Sequence, residues 1–208
     1  MQARSSSTKQ DRTFTENARR AQVVEAAIEV IAEHGMPNAS FAKIAKHAGL
    51  SSTGMISYHF RGKDDLIREV VAEIMRIAIG FVTTELEGET DYMARLRGSI
   101  TANLALLDEY PKHMRALNSI VANAQPDDLS KFGLLERVAE FGRIQAERIR
   151  EAQRAGVFRE FDAEIMVLAM RGAIDAAIGR AAIDPGFDTA ACARELADLF
   201  ENATRKQV

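Results

Sequence analysis

Residues 40–66 read SFAKIAKHAGLSSTGMISYHFRGKDDL. Ser40 stands where a helix cap is expected, and Phe41, Ile44, Ala45 and Ala48 share one stripe before Gly49. A serine cap and a glycine stop are the ordinary punctuation of a helix. After Gly49-Leu50-Ser51-Ser52 a second short helix is expected, starting near Ser51 or Ser52 and reaching about Phe60, with Ile56 and Phe60 one turn apart as anchors. Two helices of roughly nine residues, joined by so tight a connection, are too small to hold a core alone and have the form of a helix-turn-helix.

Working outward, apolar residues recur at helical spacing in every segment, and no strand alternation appears. A first helix is expected from about Asn17 to Glu33, ended by Gly35 and Pro37. Beyond the motif, helices are expected from Asp64 or Asp65 to before Gly88, from Asp91 to Glu109, and from Pro111 to Ala124. One long helix should follow Gln125-Pro126-Asp127-Asp128 and end at Gly156. Two more should run from Asp162 to Ile183 and from Asp188 to Thr204. The expectation is an all-α protein of about nine helices: a flexible basic arm (1–16), a three-helix helix-turn-helix domain (17–63) and a helical body (64–208).

Charge follows the same division. Residues 1–63 hold 9 Lys and Arg against 5 Asp and Glu, whereas 64–208 hold 18 against 25, within an overall formal charge of -3. A basic head on an acidic body favours a polyanion at one end only. The start of the second short helix is also suited to such a partner. Ser51, Ser52, Thr53 and Gly54 are small and polar, so backbone can approach phosphates and free N–H groups can bind them. Tyr58, His59, Arg61 and Lys63 follow on the outer side. In isolation, a solvated polar face on an amphipathic helix would read alike.

The block resembles the DNA-binding domain of the TetR family of bacterial repressors. Ala48-Gly49-Leu50-Ser51, Gly54, Tyr58-His59-Phe60 and Lys63-Asp64-Asp65-Leu66 stand at the family's turn, recognition helix and opening of the fourth helix, and the likeness runs from about Arg19 to Leu66. It departs twice: the turn is one residue longer at Ser51-Ser52-Thr53, and Ser57 stands where many members carry an aromatic. The resemblance implies phosphate contacts from Ser40, Ser52, Tyr58, His59 and Lys63, and base-edge reading by Thr53, Gly54, Met55 and Ser57 in a major groove about 12 Å wide. It implies a transcriptional regulator, most simply a repressor released from a palindromic DNA operator by a small-molecule effector.

One recognition helix covers few base pairs, so such a reader is expected to be a homodimer. The last two helices suit the pairing: Ala169, Gly172, Ala173 and Ala176 permit close approach, and Leu196, Leu199 and Phe200 offer apolar surface. The resemblance also implies an effector pocket among the fourth to eighth helices, with Met93, Leu96, Ile100, Asn103, Met114, Leu117, Phe141 and Met170 as candidates. Arg171, Asp175 and Asn118 would join Asn103 as polar anchors if buried.

Other chemistries find little footing. Ser40-Phe41-Ala42-Lys43 has the Ser-x-x-Lys spacing of a nucleophile motif, but its companion Lys-Thr-Gly and Ser-Asp-Asn are absent, and helix capping explains the serine. His34, His47, His59 and His113 stand singly, and Cys192 is the one cysteine, so neither a metal site nor a disulfide is expected. No catalytic residue, metal or cofactor is expected. The polar start of the chain lacks the apolar core of a secretory leader, and charges interrupt every hydrophobic run well short of the ~20 residues that span a bilayer; a cytoplasmic protein with no membrane partner is expected. A helical ligand carrier or protein-interaction module with an incidental basic head is the alternative reading.

Overall fold

The computed structural model describes the backbone of residues 5–206 and the side chains of 16–125 and 127–206. Ten α-helices follow one another: α1 (Ser5–His34), α2 (Phe41–His47), α3 (Gly54–His59), α4 (Lys63–Glu85), α5 (Tyr92–Glu109), α6 (Pro111–Asn123), α7 (Pro126–Lys131), α8 (Leu134–Arg154), α9 (Ala163–Ile183) and α10 (Thr189–Thr204). A 3-10 turn, Met36–Asn38, links α1 to α2. The all-α class stands, and among the described residues the only β pairing is an isolated bridge between Phe158 and Arg205.

Local chemistry accounts for most boundaries. Asp91, Asp162 and Asp188 each accept backbone N–H bonds from the first turn of α5, α9 and α10, as capping requires. Three boundaries differ from expectation. Helix α1 reaches back to Ser5, because no proline or glycine lies between Ser5 and His34 to stop it. Residues 5–16 of the expected flexible arm are therefore helical, and Met1–Arg4 of that arm lie outside the described residues. The single long helix expected after Pro126 is two. Gly133 adopts φ 71°, a left-handed conformation that ends α7 and lets α8 restart at Leu134. Its neighbours Phe132 and Leu134 are buried, so the break aims two adjacent apolar residues into the core. Third, α3 opens at Gly54 rather than at Ser51 or Ser52, which leaves both serines in the turn.

Two hydrophobic cores result. The first gathers Val23, Ala27, Ile28 and Ile31 of α1, Ile44 of α2, Ile56 of α3 and Phe60 beyond it, Leu66 to Ile74 of α4, Ala116 and Ile120 of α6, and Phe132. The second gathers Val82 and Leu86 with α5, Met114 of α6, and the inward faces of α8, α9 and α10. Helices α4 and α6 contribute to both. Within the second core α10 packs along α5, and Arg97 of α5 pairs with Asp198 and Glu201 of α10. The Arg97 hydrogen bond, followed by that of Arg205, holds the Glu201 carboxyl below its ordinary pKa.

Candidate nucleic-acid interface and effector cavity

The turn between α2 and α3 is closed by its own backbone. Gly49 takes φ 65°, its N–H reaches Lys46 O at 3.2 Å, and Leu50 N–H reaches Ala45 O at 2.8 Å. This double return is the Schellman ending, which needs a residue able to adopt the left-handed region. Leu50 folds back onto the first core. Helix α3 is then seated by Ile56 and Phe60, both buried, as their spacing predicts.

Helix α1 holds the far ends of both short helices. Arg20 donates from Nη1 to the His59 carbonyl at 2.7 Å, lies 4.5 Å over the Phe60 ring, and pairs with Glu69 of α4 at 2.8 Å. Gln22 donates to the Ala48 carbonyl at 2.8 Å. These two positioning residues escape sequence reasoning; the only hint is a pair of polar side chains beside the apolar stripe of α1.

With Ile56 and Phe60 facing in, the opposite side of α3 is open. Ser52, Thr53, Gly54, Ser57 and Tyr58 are exposed, Met55 and His59 half-buried. Tyr58 is 74% exposed, its hydroxyl donating to Glu16 at 3.4 Å and its ring edge-on to His59. Ser40 caps α2 by accepting the Lys43 N–H at 3.3 Å, which leaves its own O–H free to donate. Lys63 is half-buried and gives one N–H to the Met36 carbonyl at 2.9 Å; its ammonium retains further donors. Ser119 of α6 accepts the Met36 N–H at 2.8 Å, so the 3-10 turn is gripped by α4 and α6 together. Glu29 adds a third tie, bonding Lys112 of α6 and His47 of α2. The Lys112 bond, and then the His47 bond, keeps its carboxyl below the ordinary 4.5.

In the body, a cavity of about 420 Å³ lies among α4, α5, α8 and α9, within the ~300–1,000 Å³ usual for small-molecule sites. Four of the eight residues expected there do line it: Leu96, Asn103, Phe141 and Met170. The others do not. Ile100, Met114 and Met93 pack in or against the second core, and Leu117 packs against the first. Each is apolar on the inward face of its helix, and a sequence does not separate a core from a cavity wall. Of the conditional anchors, Arg171 reaches the cavity and bonds Asp175 at 2.9 Å, whereas Asn118 lies elsewhere. Tyr92, Arg95, Arg143 and Arg148 also line it and were not anticipated, because a helical arginine reads as solvent-facing.

The outer side of α9 is apolar without cover. Ile165, Leu168 and Ile183 are 62%, 67% and 80% exposed, and Leu199 of α10 is 58% exposed. Ala169, Gly172 and Ala176 are open beside them, and a Cβ added at Gly172 would meet nothing within 4 Å. Ala173 and Leu196 are half-buried against the second core. Phe200, expected on this surface, is turned inward and buried in its own chain's core, because it lies on the α10 face that packs toward α5 rather than on the face of Leu199.

The family model for bacterial regulatory proteins, tetR family, matches residues 23–70. In this segment the chain is similar to the DNA-binding part of that family. The HTH-type transcriptional regulator BetI of Vibrio atlanticus (strain LGP32) is 45% identical over 69 residues, 33% of this chain and 34% of that protein; the match thus spans about a third of that relative's length. Over nearly the whole chain the fold itself recurs in solved structures at lower identity. The transcriptional regulator FadR of Bacillus subtilis, in complex with stearoyl-CoA, superposes with a TM-score of 0.78 at 22% identity, covering 89% of this chain and 99% of its own. A protein of Saccharomonospora viridis in complex with choline does so at 0.77 and 22%, covering 92% and 100%. Among the described residues no helix is long and apolar enough to cross a membrane.

Proposed function

We propose that the chain is a DNA-binding transcriptional regulator in which residues 17–63 read an operator and residues 64–208 dimerise and bind an effector. The observation that carries this reading is the open side of α3. A row of small polar residues, with Tyr58 projecting from it, is tied to α1 by the Arg20 bond to the His59 carbonyl, with α2 tied by Gln22, and is presented to solvent on the segment that matches the family. Thr53, Gly54, Met55 and Ser57 meet base edges, while Ser40, Ser52, Tyr58, His59 and Lys63 meet phosphates on either side. The exposed faces of α9 and α10 pair across a two-fold axis and set two copies of α3 about 34–36 Å apart. The relatives being regulators rather than enzymes supports a non-catalytic role.

Release of DNA requires an effector that binds more tightly to a state with misplaced recognition helices. Helix α4 is the connection: Lys63 opens it beside the reading head, while Met75 and Leu86 farther along line the cavity. A ligand that moves Met75 tilts the helix that begins at Lys63, and the regulator acts as a repressor wherever its operator overlaps a promoter, in the cytoplasm where the chromosome lies. Neighbours of this fold were solved with choline and with stearoyl-CoA, so the fold leaves ligand chemistry open.

The test is selection of duplexes from a random pool by the full-length protein, followed by gel shift at two salt concentrations. A pseudo-palindromic site, bound less tightly as salt rises and lost in Tyr58→Ala, is the expected result. A folded protein that enriches no sequence overturns the proposal.

A further inference from the structure

The charged lining of the α4–α5–α8–α9 cavity runs against the body around it. Residues 64–208 are acidic, with 18 basic against 25 acidic side chains, yet the cavity meets four arginines, at positions 95, 143, 148 and 171, and two carboxylates, Glu151 and Glu164. Of the two carboxylates, Glu164 is already paired with Arg150 at 2.8 Å, which leaves Glu151 against the four arginines. Two of the arginines are likewise occupied: Arg171 bonds Asp175, and Arg95 donates to the Glu89 carbonyl at 2.6 Å. Arg143 and Arg148, both on α8, have neither a hydrogen-bond nor an ion-pair partner among the described residues.

Arg148 is half-buried, whereas Arg143 is exposed. A guanidinium that has lost part of its hydration and gained no counter-charge sits at a cost, which a bound anion removes. The remaining wall is apolar and continuous with the second core, through Leu96, Phe141 and Met170. A cationic ligand would instead face a lining of net positive charge.

We infer that this cavity takes an amphipathic anion, its anionic head held by Arg143 and Arg148 and its apolar chain laid against the wall formed by α5, α8 and α9. The inference rests on the reading of this cavity as the effector site and names the effector's chemical class.

Three probes of equal chain length test it by calorimetry with the full-length protein, each below its micelle concentration: dodecanoate, dodecanol and dodecyltrimethylammonium. Dodecanoate is expected to bind at least about tenfold more tightly than the other two, the scale of one charge-assisted hydrogen bond. Arg148→Gln and Arg143→Gln should each reduce that affinity by about tenfold while keeping helical circular dichroism. Arg154→Gln, on the same helix outside the cavity, should leave it unchanged. Equal binding of the three probes, preference for the cation, binding of none, or indifference to both arginine variants overturns the inference. Duplex selection on the same preparation separates the two readings. A selected operator without anion preference defeats this inference alone, and anion preference without a selected operator defeats the regulator reading alone.

Discussion

Truncating Leu199 to alanine probes the proposed pairing at one defined point. Leu199 is 58% exposed in the single chain. Full burial of a leucine side chain is worth roughly 1.5–3 kcal/mol, so covering the exposed part contributes about 1–1.7 kcal/mol. A two-fold axis applies the substitution twice, giving a loss of about 2–3.5 kcal/mol per dimer. At 1.4 kcal/mol per factor of ten, the dimer dissociation constant should rise by roughly 30- to 300-fold. Sedimentation equilibrium over a dilution series reads this directly. Val121→Ala, which trims an exposed apolar residue on α6, serves as the control and should not move the constant. Since Leu199 packs little within its own chain, monomer stability should stay within about 0.5 kcal/mol of the parent. A Leu199→Ala protein that dimerises as tightly as the Val121→Ala control would refute the assignment of α9 and α10 as the pairing face.

Gly49→Ala should destabilise the fold by about 1–2 kcal/mol, seen as a lower urea midpoint at unchanged slope, because φ 65° is strained for alanine although its Cβ would have open space. Lys63→Ala should weaken binding to all duplexes alike and reduce the slope of log affinity against log salt by about one, whereas Thr53 and Ser57 substitutions should shift preference at particular bases by ~1–3 kcal/mol. Glu29→Gln should show a pH signature. The carboxyl's folded pKa is lowered from 4.5, chiefly by the Lys112 bond, so its contribution is whole above that value and fades as pH falls through the lower folded one. Chemical unfolding should find a small parent–variant gap at neutral pH that closes in acid, and a gap that widened below pH 4.5 would contradict the assigned sign.

Much of the fold is legible in the chain because caps, glycine stops and helical periodicity agree with one another from Ser40 onward. The Ile56 and Phe60 anchors follow from spacing alone. Legibility ends where the relevant fact lies between elements. Nothing in Phe132-Gly133-Leu134 separates an interrupted helix from a continuous one, since both neighbours of the glycine are apolar and its left-handed φ shows only in three dimensions. Ile100 and Leu96 look alike on one helix face, yet one is wholly buried and the other borders a cavity. Arg148 of α8 likewise reads as solvated surface, yet it is half-buried on the wall of the cavity. Arg20 fails for a similar reason: its partners His59, Phe60 and Glu69 lie some forty or more residues away.

The sharing of α4 and α6 between the two cores bears on how such a protein can be cut and recombined. A fragment ending near Lys63 would leave Val23, Ile28 and Ile56 without Val70, Ile74 and Ile120 against them. Calorimetry of the intact chain should accordingly show one cooperative endotherm rather than two. A chimera that transplants this reading head onto a foreign body must bring the first half of α4 and the end of α6 with it. Splicing at Lys63 alone would strip the first core of the residues that α4 and α6 supply to it.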